Sequence, residues 1–306
     1  MDGGLTITFI SVAMFVGTFL LGFIPLLFQL SAKSLQFVSI LGAGLLCGTA
    51  LAITIPEGVG LLEDSWKASS SSSDVPSGLN SSKENGAPTE GGVPPRFFIG
   101  LALTFGFTFM FVVDQIGNYL SARDQTTLLP NSVHFTATLG LVIHAAADGF
   151  ALGAAVATGQ VTVQVIVFFA VILHKAPAAF GLVSFLMHGG LEKKYIQGHL
   201  LAFSAAAPVV AIATYFILYA SGSSSENQLS ATGVGMLFSA GTFLYVATVH
   251  VLPEVSSNRA GQPTSDPEQP SGAETHRHGH LGLLESLTLI LGVGLPMVLA
   301  LGLHDD

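Results

Sequence analysis

Eight apolar stretches, each close to the length of a membrane-crossing helix, dominate the sequence. Only 9% of the residues are charged, whereas soluble domains carry about 25%. A helix needs about 20 apolar residues to cross the hydrocarbon core of a bilayer. The sequence therefore predicts an all-α integral membrane protein with eight transmembrane helices. The gaps between charged residues place these spans near Leu5–Leu27, Ser34–Pro56, Phe97–Asn118, His134–Ala157, Val161–Met187, Leu200–Ala220, Ala231–Leu252 and Leu284–Leu303.

Two polar segments divide the spans into three groups. Residues 65–96 are rich in Ser, Gly and Pro, and residues 256–281 carry three prolines and an alternating histidine run. Such compositions cannot bury enough apolar surface to fold, so we expect both segments to be disordered. The predicted organisation is then spans one and two in 1–64, spans three to seven in 97–255, and span eight with a short tail in 282–306. The histidine run could bind metal weakly or simply be solvated; it consists of His276, His278 and His280.

The distribution of Lys and Arg predicts the orientation of the chain. Loops 1–2, 3–4, 5–6 and 7–8 hold six of these residues, and the opposite side holds three. The positive-inside rule then places both termini outside the cell or in a lumen. Asn80 begins a glycosylation sequon on that outer side. The net charge of −9, with no basic stripe, argues against a nucleic-acid partner.

Ionisable side chains lie at membrane depth in two neighbouring spans. HAAADG at 144–149 places His144 and Asp148 in span four, and HKAP at 174–177 places His174 and Lys175 in span five. A charged group at that depth costs at least about 2.5–3.5 kcal/mol unless it is paired or faces water. Residues four apart share one helix face, and imidazole with carboxylate suits a divalent ion such as zinc. We interpret His144, Asp148 and His174 as metal ligands; the alternative is a buried polar network that only fixes packing.

Three nearby residues are expected to shape this site. We expect the Lys175 ammonium to pair with Asp148, or with Asp114 across the path. Pro177 cannot donate a backbone hydrogen bond, so it should free the Leu173 carbonyl and kink span five beside His174. Gly149 and Gly153 form a small-residue face that lets another helix approach span four closely.

Four further polar residues are candidates for the pathway, each with a plainer alternative. His250 could line the path or could hydrogen-bond near the cytosolic end of span seven. Glu57 and Glu254 follow prolines at predicted helix ends, so they are solvated caps or path ligands. Asp114 shares a face of span three with Asn118, where a helix-end network is the alternative.

An internal repeat relates span two to span seven. Ala43, Gly44 and Ala50 match Ala240, Gly241 and Ala247, and the two Pro-Glu pairs at 56–57 and 253–254 then align without a gap. The two spans are five apart in order, so they cross the membrane in opposite directions. Inverted repeats around a midplane site are typical of transporters.

These motifs together resemble the ZIP (Zrt/Irt-like) family of zinc transporters. HAAADG resembles the family's His-x-x-x-Asp/Glu-Gly signature, and HKAP lies where members usually have His-Glu-x-Pro-His. GTFLYVATVHVLPE at 241–254 resembles the family's seventh-span motif. Longer phrases, including GAGLLCGTALA, FMFVVDQIGN and LHKAPAAFGLVSFLMH, resemble the ninth vertebrate subgroup.

The resemblance implies an inverted-repeat bundle whose transport core is formed by spans four and five. It implies that His144, Asp148 and His174 stand at ligand positions. Three departures bear on the number of ions: Ala145 and Ala178 replace frequent ligands, and Lys175 stands where members often have an acidic ligand of a second metal. We therefore expect one metal ion per transport site.

The expected function is movement of zinc toward the cytosol, the direction being implied by the resemblance. No cofactor and no enzymatic activity are expected; an intramembrane metalloprotease is disfavoured because the sequence has no HExxH motif. The alternative is a membrane receptor for a lipophilic, steroid-like ligand. The expected partners are Zn²⁺ as substrate and membrane lipid, and a homodimer remains open. The Golgi or trans-Golgi network and the plasma membrane are the expected locations.

Overall fold

A computed structural model describes residues 3–27, 32–71, 95–123, 132–188, 190–251 and 282–304. Every regular element in these ranges is helical, and eight helical spans are long and apolar enough to cross a membrane. The predicted all-α fold with eight spans is thus confirmed. The α-helices are Gly3–Leu27, Ala32–Thr49, Ile55–Ser71, Pro95–Arg123, Ser132–Ala157, Val161–His188, Lys193–Ala220, Ser225–Val246 and Leu283–His304.

Two helices extend well beyond the predicted spans. Span two continues as a helix to Ser71, so the first seven residues of the segment predicted as a disordered loop, 65–71, are helical. Span six begins at Lys193 rather than at Leu200, which places Lys193 and Lys194 in its first turn. The reason is that gaps between charges mark the hydrocarbon-crossing part of a helix, whereas backbone hydrogen bonds can continue into polar sequence.

Spans two and seven each contain a short π-helical segment, Ala50–Thr54 and Ala247–Val251. In span two the Ile55 N–H donates to the Ala50 carbonyl, which is the wider π spacing. Pro56 is the next residue, and in an ordinary α-turn its ring would clash with the carbonyl four residues earlier. The wider π turn relieves this clash. Glu57 therefore lies inside a helical run that continues from Ala32 to Ser71, in the first turn after the π segment, and not at the end of span two. Its role as a cap or a path ligand stays a prediction.

The two π segments begin at the two alanines that the repeat alignment pairs, Ala50 and Ala247. The helix packing shows the same repeat. Span two packs against span eight, and its repeat partner, span seven, packs against span three. The paired glycines lie at these contacts, since a Cβ on Gly44 would be 2.9 Å from the Gly292 Cα and one on Gly241 would be 3.0 Å from the Phe107 nitrogen. Structure and sequence thus agree on an inverted repeat.

Spans four and seven form the centre of the bundle. Among the membrane-crossing windows of the described helices, theirs are the most buried, and spans one, three and eight are the least. The outward faces of these outer spans carry apolar side chains such as Phe9 and Val298, as a lipid-facing surface requires. The centre therefore includes span seven, in addition to the spans four and five that the resemblance implied.

Candidate metal site

Span four presents His144 and Asp148 from one helix face, and both side chains are buried. The next turns of this helix lie against span six. A Cβ on Gly149 would be 2.9 Å from the Ala207 Cα, and one on Gly153 would be 2.8 Å from the Thr214 Cβ. The glycines therefore permit a close helix contact, as the sequence predicted, and its partner is span six.

Asp148 brings the two histidines together through a single oxygen. Its Oδ2 lies 2.9 Å from Nε2 of His174 and 3.5 Å from Nε2 of His144. The two imidazole rings are tilted by 50° to each other, with their centroids 5.4 Å apart. All three residues predicted as ligands are thus placed in one cluster that joins span four to span five.

The cluster could hold a metal ion. One ligand atom from each of His144, Asp148 and His174 can be chosen so that all lie within 4.8 Å of one another. Ligands held at zinc distances in a tetrahedron are about 3.3 Å apart, and the two contacts of Asp148 Oδ2 with the imidazole nitrogens, at 2.9 and 3.5 Å, are close to that value. His144 Nε2 is buried without a hydrogen-bond partner in the part of the chain that the structure describes. An unpartnered ring nitrogen beside a carboxylate suits a cation bound between them.

Span seven contributes two hydroxyl groups that the sequence reasoning missed. The Ser239 hydroxyl donates a hydrogen bond to Oδ1 of Asp148. Thr242 Oγ1 lies 2.9 Å from Nδ1 of His144, and its own proton goes to the Ser239 carbonyl at 2.7 Å. The only available signal was a pair of hydroxyls three residues apart, one just before the seventh-span motif and one at its second residue, and such pairs are common in membrane helices.

Phe243 and the π segment of span two enclose the histidines. The Phe243 ring centroid lies 4.8 Å from that of His144 and 5.2 Å from that of His174. Ala50 and Thr54 line the same small pocket from span two. Four spans therefore surround the cluster, and both members of the inverted repeat take part.

Among the described residues the Lys175 ammonium makes no hydrogen bond with Asp148, its predicted partner, although the two charges still attract each other. Lys175 is 1% exposed, and its Nζ has no hydrogen-bond partner among the described residues. It lies instead over the ring of Phe203 in span six, 4.8 Å from the centroid. The alternative partner, Asp114, accepts a hydrogen bond of 2.8 Å from the Tyr245 hydroxyl. Asp114 thus joins span three to span seven, as in the network alternative.

The remaining predicted residues fall partly outside the described part of the chain. Pro177 lies within the helix Val161–His188, which is continuous through it; the kink stays a prediction. Glu57 is partly buried in span two. The side chain of His250 and the residues Glu254, Asn80, His276, His278 and His280 lie outside the described residues, and their roles stay predictions.

Comparison with known proteins agrees with the geometry. The ZIP zinc transporter family model matches residues 4–134 and 130–300. The chain is 46% identical to the protein named zinc transporter ZIP9 of Micropogonias undulatus, over 99% of this chain and 100% of that one. It is 48% identical to zinc transporter ZIP9-A of Xenopus laevis, over 99% of each chain. This chain belongs to the ZIP zinc transporter family.

Proposed function

We propose that this protein moves zinc ions across a membrane through the cluster formed by His144, Asp148 and His174. The observation that carries the proposal is the convergence of two imidazoles on one carboxylate oxygen inside a bundle of apolar helices. A bilayer-spanning chain gains nothing in packing from such a costly group, whereas a path for a divalent cation needs it. The names of its relatives also support zinc as the substrate.

The number of protein ligands suits transport rather than permanent storage. Structural zinc sites are closed by four protein ligands, whereas three leave a position for water or for exchange. Three ligand atoms converge here among the described residues. An ion held in this way can leave as well as bind, which passage across a membrane requires.

We further propose that zinc moves toward the cytosol and that both termini face the outside or a lumen. The direction rests on the family, and the orientation rests on the split of six Lys and Arg against three. A location in the Golgi, the trans-Golgi network or the plasma membrane suits this orientation. We expect no enzymatic activity from a member of a transporter family.

The decisive experiment is zinc uptake by liposomes that contain this protein alone. A zinc indicator inside the vesicles should report saturable uptake, and iron and manganese serve as competitors. The triple variant His144→Ala/Asp148→Ala/His174→Ala should take up no more zinc than protein-free liposomes. Equal uptake by the parent and the triple variant would overturn the proposal. Saturable binding of a steroid-like ligand by the triple variant would instead support the receptor alternative.

A further inference from the structure

We propose that Ser239 restricts Asp148 to one coordinating oxygen and thereby favours a four-coordinate ion over ions that take more ligands, while Thr242 holds His144 in the tautomer that binds the ion. This inference rests on the zinc transport proposed above and assigns ion selectivity to Ser239 and part of the affinity to Thr242, two positioning residues in span seven. Neither side chain needs to touch the ion, because each acts through a ligand of span four.

Thr242 fixes the proton position on His144. The Thr242 hydroxyl has a single proton, and a carbonyl oxygen, that of Ser239, lies 2.7 Å away to accept it. The hydroxyl oxygen must then accept at its contact of 2.9 Å with Nδ1 of His144, so this nitrogen is the protonated one. In a neutral imidazole the other nitrogen, Nε2, keeps its lone pair. That lone pair faces the Asp148 carboxylate, where the ion would lie.

Ser239 occupies one oxygen of Asp148. Its hydroxyl donates to Oδ1, whereas both imidazoles lie beside Oδ2. The carboxylate is therefore divided: one oxygen is held by span seven, and the other is left for a cation. A carboxylate held in this way favours binding through Oδ2, because the Ser239 hydroxyl already occupies one lone pair of Oδ1 and fixes the direction in which the carboxylate points.

A set of three single-atom ligands discriminates among divalent ions. Zinc is satisfied by four ligands, so one water molecule completes its shell. Manganese and calcium prefer more oxygen ligands and often use both oxygens of a carboxylate. Holding Oδ1 of Asp148 away therefore disfavours these ions more than it disfavours zinc.

The test compares span-seven variants by transport and by spectroscopy. Ser239→Ala should raise manganese uptake relative to zinc uptake by about tenfold, the lower end of the effects seen when partners of metal ligands are removed. Thr242→Val should raise the KM for zinc by about tenfold, with little change in the ratio of manganese uptake to zinc uptake. Thr242→Ser should restore the KM of the parent. Thr232→Val is the matched control, since Thr232 is buried in the same helix but donates to the Gln228 carbonyl.

Cobalt(II) binding to the purified variants gives a readout that a general packing defect would not change. The parent should show the intense visible absorption of four-coordinate cobalt, and Ser239→Ala should show the weaker bands of a five- or six-coordinate ion. Ser239→Gly also removes the donor without adding a metal ligand, and it serves if Ser239→Ala does not fold. The inference would be overturned if both Ser239 variants kept the parent's ratio of manganese uptake to zinc uptake and the parent's cobalt spectrum. Absence of zinc uptake by the parent would instead overturn the proposed function, and the cobalt spectra would still test the ligand geometry.

Discussion

The ammonium of Lys175 lies 4.8 Å from the ring centroid of Phe203, in the interior of the bundle. Consecutive helix residues point about 100° apart, so the Lys175 side chain leaves the helix in a different direction from that of His174. The lysine is turned toward span six, and an aromatic face partly offsets the cost of burying its charge. Phe203 itself is fully buried.

Replacing Phe203 should therefore destabilise the protein, because the buried ammonium would lose its aromatic contact. Phe203→Leu keeps an apolar side chain but removes the ring, and a desolvated contact of this kind contributes about 2 kcal/mol. We expect a lower melting temperature in detergent. Phe216→Leu is the matched control, since Phe216 lies on the same helix but is 51% exposed. In a Lys175→Met background the effect of Phe203→Leu should shrink; an undiminished effect would show that the ring acts by packing alone.

The charge of Asp148 should be indispensable, because one of its oxygens lies beside both histidines. Asp148→Asn keeps the shape but removes the negative charge that a dication requires. Zinc uptake should fall by at least about tenfold, the lower end of what loss of a mere partner of a metal ligand costs, with normal amounts of protein in the membrane. Asp64→Asn is the control, because Asp64 is an exposed carboxylate paired with Lys67 at 3.2 Å. Uptake by Asp148→Asn that equals uptake by Asp64→Asn would contradict the site.

Close packing of span four against span six should not tolerate even one methyl group. A Cβ at Gly149 would overlap the Ala207 carbonyl oxygen, and one at Gly153 would overlap that of Ala211. Overpacking of this kind costs about 1–3 kcal/mol, so Gly149→Ala and Gly153→Ala should each lower the melting temperature. Gly181→Ala in span five should not, because a Cβ there would have no atom within 4 Å. Equal melting temperatures for all three variants would contradict this packing.

The predicted orientation can be checked at Asn80. Expression in a eukaryotic cell should give a glycoprotein whose mobility changes on glycosidase treatment, and Asn80→Gln should abolish the change. A protease site inserted between 256 and 281 should be cut only from the cytosolic side. An unglycosylated protein that is cut from the outside would reverse the orientation.

The features that could be predicted from the sequence are those that depend on the spacing of residues along a single helix. The eight spans and the shared face of His144 and Asp148 follow from composition and from helix periodicity. Ser239 and Thr242 could not be found in this way, because their role depends on how span seven rotates against span four. The contact of Lys175 with Phe203 was missed for the same reason, because it depends on how span six packs against span five.

The geometry also predicts one transport-site zinc ion per chain. Only one group of His, Cys, Asp or Glu ligands converges in the described part of the protein, and it offers three ligand atoms. Metal analysis of purified His276→Ala/His278→Ala/His280→Ala protein should give one zinc per chain, because these substitutions remove the histidines expected to bind metal weakly outside the site. Adding His144→Ala and His174→Ala should remove that ion. Two tightly bound ions in the histidine-run variant, both lost with His144→Ala and His174→Ala, would show that further ligands complete a second site.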